Sequence, residues 1–149
     1  MKEIDEKRLI YWAGFIDGEG TLKIIKRRAG KSGKSPQYIP YLAVANTKKE
    51  IIDLLKKEFG CGVIWHKKPF KPNHKHAYAW YISTKKCVEI LKQLLPYLYI
   101  KKPQAELILR FYEDAGKRTV FGPVPTPKDI LEKREYYYKQ MKLLNKRGV

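Results

Sequence analysis

The stretch Tyr11-Trp12-Ala13-Gly14-Phe15-Ile16-Asp17-Gly18-Glu19-Gly20 decides how the chain is read. It begins as an apolar helix, narrows to small residues and stops at a carboxylate set between two glycines. Ile10, Ala13, Gly14 and Asp17 recur at helical spacing, which predicts one helix face that is almost bare backbone. Leu9, Trp12 and Ile16 fall on another, apolar face suited to a core. Small residues let a second backbone approach closely. Gly18 and Gly20 suit a helix stop, where positive φ is cheap for glycine. Glu19 then lies at the negative end of the helix macrodipole, beside carbonyls that lack intrahelical partners. That position disfavours a lone carboxylate, whereas a divalent cation shared among those oxygens makes it favourable. The plain alternative is a helix end that carries a surface glutamate.

Working outward from that stretch, 149 residues make one domain, 1–149, with room for a real core and not for two. The net charge of +17 is spread along the whole chain and implies a polyanionic partner. Nucleic acid is the leading candidate, and at this stage a basic ribosomal or other RNA-binding protein is the main competitor. The two cysteines, Cys61 and Cys87, give no disulfide framework and suit a reducing interior. With His66, His74 and His76 they lack the paired short spacings of a zinc site. No signal peptide and no bilayer-spanning apolar run is seen, so no membrane partner is expected. The expected location is cytoplasmic, nucleoid-associated in a prokaryote or organellar elsewhere.

Asp5 caps a first helix that is expected to run to about Gly18. Thr21 to Arg28 alternates as a strand, Ala29 to Pro36 is a Gly/Ser/Lys loop, and Tyr38 to Ala45 is the returning strand. The loop holds Gly-Lys-Ser twice, but neither copy has the earlier glycine of a Walker phosphate loop, so nucleotide hydrolysis is not indicated. Thr47 to Glu50 reads as a capping box for a helix through Lys57, with Gly60-Cys61-Gly62 closing it. Val63 to Lys67 and His76 to Ser83 form a second hairpin around the loop Lys68 to Lys75. A helix from Thr84 to Leu95 stops at Pro96, and another from Pro103 runs to Gly116. A Gly/Pro-rich connector, Phe121 to Pro127, leads to a last helix, Lys128 to Leu144, capped by Thr126. At least one of Tyr136, Tyr137 and Tyr138 is expected in the core. The fold class is α+β, with a four-stranded antiparallel sheet covered by helices on one side and open on the other.

The segment Trp-Ala-Gly-Phe-Ile-Asp-Gly-Glu-Gly (12–20) closely resembles the signature of the LAGLIDADG homing endonucleases. The resemblance implies their αββαββα core, here with additional C-terminal helices at about 126–145. Single-copy members of that family pair as homodimers through the motif helices, and no second copy of the motif occurs in this chain. A homodimer is therefore implied, with Ile10, Ala13, Gly14 and Asp17 at its two-fold. It also implies a site-specific endonuclease that hydrolyses double-stranded DNA at a long pseudo-palindromic target, free-standing and intron-encoded, since the chain lacks the marks of an intein. The metal would be Mg2+, or Mn2+ or Ca2+ at the same site, held by Glu19 and the Gly18 carbonyl. Glu19 departs from the commoner family aspartate by one methylene. Asp17 matches the first acidic residue of the motif, as a hydrogen-bonding partner rather than a ligand.

Two further segments match family positions. Val44-Ala45-Asn46-Thr47 places Asn46 where a side-chain amide orients water. Pro96 to Ala105 resembles the segment bearing the active-site lysine and selects Lys101, with Lys102 the neighbouring alternative; Lys48 is a further basic candidate near a helix start. The DNA-facing set carried over from Glu19 is Lys23, Ile25 and Arg27, then Gln37, Ile39, Tyr41 and Ala43. On the second hairpin it is Trp65, Lys67, His76, Tyr78 and Trp80, with core packing the alternative for the aromatics. A strand of about eight residues spans about 26 Å, or roughly 8 base pairs of groove. Two other functions suit the same fold: a maturase-like protein that binds intron RNA, and a non-catalytic DNA-binding regulator.

Overall fold

The computed structural model describes residues 3–29, 35–117 and 125–146. Both Gly-Lys-Ser copies of the first loop begin outside these residues, as does most of the Gly/Pro-rich connector. The elements run α1 (Glu6–Glu19), β1 (Gly20–Arg27), β2 (Gln37–Asn46), α2 (Lys49–Phe59), β3 (Val63–Lys67), β4 (Ala77–Ser83), α3 (Thr84–Leu94), α4 (Lys102–Phe111) and α5 (Lys128–Leu144). A 3-10 turn, Leu95–Tyr97, follows α3, and a π-helical turn, Tyr112–Gly116, ends α4.

The four strands form one antiparallel sheet in the order β1-β2-β4-β3, so the two hairpins meet through β2 and β4. Because side chains alternate, the register sorts them into two faces. Leu22, Ile24, Leu42, Val44, Trp80 and Ile82 point into the core under the helices, each at most 4% exposed. Ile52, Leu55 and Phe59 of α2, Val88, Leu91 and Leu94 of α3, and Ile108 and Phe111 of α4 close that core. The opposite face carries no helix among the described residues. This is the α+β layering expected of the sequence.

Local chemistry departs from the sequence reading at three helix starts and stops. The capping box at Thr47 does not form; instead the Asn46 side chain accepts the Lys48 N–H at 2.8 Å, and α2 starts without a side-chain cap. Thr126 does not cap α5, whose first helical residue follows Pro127; its own N–H goes to the Ser35 hydroxyl. Gly18 and Gly20 have no positive φ, since α1 continues through Gly18 to Glu19. Gly20 is required by space: a Cβ there would stand 2.6 Å from the Ile16 carbonyl.

The last helix is a brace. Arg134 donates to the Ala115 carbonyl and Tyr137 to Asp114, while Glu135 accepts from Lys26 (2.8 Å) and from the Tyr38 hydroxyl on the first hairpin. Tyr137 and Tyr138 pack against the core and Tyr136 stays exposed. The Lys26 ammonium and the Tyr38 hydroxyl hold the Glu135 carboxyl below its ordinary value. This clamp is therefore present above the usual carboxylate range and is lost as pH falls through that depressed value.

Two glycines after α2 separate space from backbone conformation. Gly60 (φ +69°) ends α2 in open surroundings, whereas at Gly62 (φ +99°) a Cβ would meet Trp80 Nε1 at 2.1 Å. Gly62→Ala is expected to cost about 3 kcal/mol, from overpacking plus left-handed strain, and Gly60→Ala about 1 kcal/mol from strain alone. Urea denaturation of both variants checks this, and equal losses would contradict it.

Candidate active site and nucleic-acid interface

The sequence motif ends where α1 meets β1, and a clamp from the far side of the chain fixes that junction. The Asp17 carboxylate, 9% exposed, accepts the Tyr99 N–H at 2.8 Å and the Lys101 N–H at 3.0 Å. The Lys101 ammonium returns to the Asp17 carbonyl at 2.8 Å. The Gly20 N–H satisfies the Ile16 carbonyl. A cation is thereby delivered to the negative end of α1, which has no basic residue in its own last turn. Glu19, the last helical residue, is exposed, and its carboxylate has no partner among the described residues. Beside it a cleft of about 450 Å³ opens, lined by Gly20, Thr21, Lys23, Lys101 and the end of α5.

From this junction the open face of the sheet runs outward. On β1 it presents Thr21, Lys23, Ile25 and Arg27, paired with Ala43, Tyr41, Ile39 and Gln37 of β2. On the second hairpin it presents Val63, Trp65 and Lys67 of β3, paired with Tyr81, Ala79 and Ala77 of β4. Tyr41 stacks on Tyr81 with ring centroids 5.8 Å apart, and the Lys23 ammonium stands 5.2 Å from the Tyr41 ring. Trp65 is 60% exposed, with the Lys67 ammonium 6.0 Å from its ring. Aromatic rings interleaved with cations on an uncovered sheet suit a polyanion that also offers flat bases.

The family model described as LAGLIDADG endonuclease matches residues 12–112, about two thirds of the chain. The chain belongs to the LAGLIDADG endonuclease family. Among solved structures it is similar to the homing endonuclease I-CvuI in complex with its target, with 21% identity, TM-score 0.77, 96% of this chain and 84% of that one covered. An archaeal intron-encoded homing endonuclease complexed with DNA, I-Vdi141I, aligns at 15% identity and TM-score 0.69, with 97% and 87% covered. The meganuclease I-SmaMI bound to uncleavable DNA aligns at 16% identity and TM-score 0.71 over 96% of this chain but only 47% of that one. At these identities the likeness concerns the fold. No curated protein sequence matches the chain.

Within this LAGLIDADG fold the motif's small residues divide differently from the sequence reading. Ala13 is fully buried and Asp17 is held by the loop before α4, so both face inward and neither lies on the bare face. That face is instead Ile10 (50% exposed), Tyr11 (56%), Gly14 and Gly18, spaced four residues apart as a small-xxx-small pair. A Cβ at Gly14 or Gly18 would meet nothing within 4 Å. Each helical glycine costs about 1 kcal/mol relative to alanine. The described protomer gives no steric reason for either one.

The second hairpin is also corrected. Trp80 is fully buried, stacks on Phe59 and donates its indole N–H to the Cys61 carbonyl at 2.8 Å. Tyr78 lies on the same helix-covered face, and His76 precedes β4 and meets His66 there, 2.7 Å between ring nitrogens. None of the three belongs to the open face; Tyr81 and Ser83 take their place on β4 and were missed. Asn46 ends β2 two residues past the Gly20–Val44 pair, with its Oδ1 engaged by the Lys48 N–H.

Asp17→Asn keeps the shape of the clamp but turns one acceptor into a donor that faces an N–H. It is expected to destabilise the fold by about 2 kcal/mol, the scale of a hydrogen bond to a charged group. Chemical denaturation reads this directly, and an unchanged midpoint would show that the clamp carries no weight.

Proposed function

We propose that this chain is a site-specific double-strand DNA endonuclease that works as a homodimer and cuts by divalent-metal-assisted hydrolysis, one strand per copy. The observation that carries this reading is Glu19: a carboxylate at the tip of α1 without a partner among the described residues, near a fixed lysine and next to a basic, aromatic sheet face. Pure binding needs neither the acid nor the fixed ammonium, which favours this reading over an RNA maturase or a DNA-binding regulator.

The donor set suits a hard cation, since Glu19 and the Gly18 carbonyl offer oxygen only. One copy supplies a single free carboxylate there, and no group of three His, Cys, Asp or Glu side chains gathers among the described residues. A complete site therefore calls for oxygens from the second copy and from the DNA. Pairing through Ile10, Tyr11, Gly14 and Gly18 brings the two Glu19 tips together, with exposed Tyr99 and Ile100 flanking the seam. The chain spans 47% of the length of the meganuclease I-SmaMI, room for two such units.

Lys23, Arg27 and Lys67, with Tyr41 and Trp65, engage phosphates and base edges in the groove. Glu19 and the Gly18 carbonyl would hold a divalent ion such as Mg2+, which would supply Lewis-acid polarisation of the scissile phosphate and lower the pKa of an attacking water. Lys101, anchored on the Asp17 carbonyl, places positive charge where the leaving oxygen and the crowded phosphorus gain negative charge. Asn46 retains an amide N–H2 that can hold water at the same end of the sheet.

Selection against a pooled library of randomised duplexes with Mg2+ should yield a cut target. Glu19→Gln is expected to lower the single-turnover rate on it by at least about a hundredfold and Lys101→Met by a similar factor, with DNA affinity nearly unchanged. Full activity in Glu19→Gln would contradict the reading. Bound intron RNA without any cut duplex would favour the maturase function instead. Light scattering should give a dimeric mass that Gly14→Leu converts to a monomer; a monomeric wild type at micromolar concentration would sink the dimer.

A further inference from the structure

The second hairpin runs past the rest of the sheet at the end where α1 meets β1. Gly20, Val44, Trp80 and Ile64 pair across all four strands in one row, and that row marks where β1 begins. β3 continues beyond it from Ile64 to Lys67, which is about 10 Å at the rise of a strand. Residues 68–76, the connection to β4, lie further out at the same end of the sheet.

This tip combines charge, stiffness and one exposed ring. It holds Lys67, Lys68, Lys71 and Lys75, and no Asp or Glu occurs between Glu58 and Glu89. Phe70 stands fully exposed among the lysines. Pro69 and Pro72 fix φ on either side of Phe70-Lys71, and the His74 N–H closes a turn onto the Lys71 carbonyl at 3.1 Å. At the base of the tip, His66 Nε2 stands 2.7 Å from His76 Nδ1, and the His66 ring stacks on Tyr78. A tip held in this way gives up little freedom on binding.

The chemistry of the tip selects both the partner and the group it touches. Lysines without counter-charges suit phosphates. A two-stranded ribbon enters the major groove, about 12 Å wide, rather than the minor groove, about 6 Å wide. A phenyl ring brings no conventional hydrogen bond, and the apolar group on a base edge in that groove is the thymine methyl. We propose that Phe70 is a specificity-determining residue that reads a thymine methyl, while the lysines around it hold the flanking phosphates. The inference rests on the endonuclease reading, which sets the two-fold where the paired Glu19 tips meet. Because the hairpin projects past that end of the sheet, the thymine falls in the inner part of each half-site, nearer the centre of the target.

The test is a binding selection from randomised duplexes with the whole chain, without divalent metal so that nothing is cut. Selected sites should carry thymine at one fixed inner position of each half-site, and Phe70→Ala should lose that preference alone. Uracil in place of this thymine in one half-site removes only the methyl. It should weaken wild-type binding about fourfold, the worth of one buried methyl, and leave Phe70→Ala unaffected. Lys71→Gln should weaken binding to every sequence alike and lower the salt slope by about one per lysine removed. Both side chains are exposed, so neither variant should shift the melting temperature. No enriched thymine, a preference that survives Phe70→Ala, an equal uracil effect in both proteins, or a Phe70→Ala loss uniform across sequences would each overturn the inference. A wild type that shows the preference yet cuts none of its selected sites with Mg2+ would instead defeat the endonuclease reading and leave the Phe70 contact standing.

Discussion

The Asp17 carboxylate is the constraint on which the rest of the site depends. Taking a carboxylate out of water is costly unless its oxygens are hydrogen-bonded, and here both are, by the N–H groups of Tyr99 and Lys101. The reciprocal bond from the Lys101 ammonium to the Asp17 carbonyl closes a ring between residues 84 positions apart. That ring ties the end of α1 to the start of α4. It also explains how an acid and a lysine far apart in sequence come to share one corner of the molecule. Glu19, two residues beyond Asp17, stays exposed as the last residue of α1.

The sheet then converts this corner into a surface. β1 and β2 alternate cleanly, so their open face was legible from residues such as Lys23, Arg27 and Tyr41. The second hairpin was not. Ala77-Tyr78-Ala79-Trp80-Tyr81 places aromatics on both parities, and a shift of one residue turns every side chain to the other face. The deciding signal was present but remote: Gly62 leaves the room that the Trp80 indole occupies, and the Cys61 carbonyl accepts its N–H. Likewise, the small residues of α1 announced a close approach without saying on which side. Ala13 is small because the core is tight there; Gly14 and Gly18 are small with open space around them. The motif singled out Glu19 and the segment Pro96 to Ala105 singled out Lys101, whereas the bond network around Lys101 depends on tertiary placement that no local pattern encodes.

The C-terminal helix carried no recognisable motif, and its amphipathicity is weak, with Met141 its one buried residue. Its weight lies in polar bonds instead: Glu135 to the first hairpin, Arg134 and Tyr137 to the end of α4, and Asn145 to β1 and Gln104. Such bonds are set by where side chains end, not by periodicity, which is why the helix was foreseen and its role was not. It braces β1 on the side away from the open face and reaches the cleft beside Glu19.

The central claim is that two copies meet through α1 with their Glu19 tips converging. Cross-linking of engineered cysteines measures this in solution. Cys87 is buried, and burial pushes its thiol up to about 12, so it stays inert. With Cys61→Ser removing the other thiol, Glu19→Cys is treated with a bifunctional thiol reagent spanning about 8–10 Å, the separation of packed helices. The account predicts a covalent dimer as the main product at micromolar protein, and only monomer when the cysteine is moved to exposed Lys85 on α3. Monomer alone from the Glu19→Cys protein would contradict it.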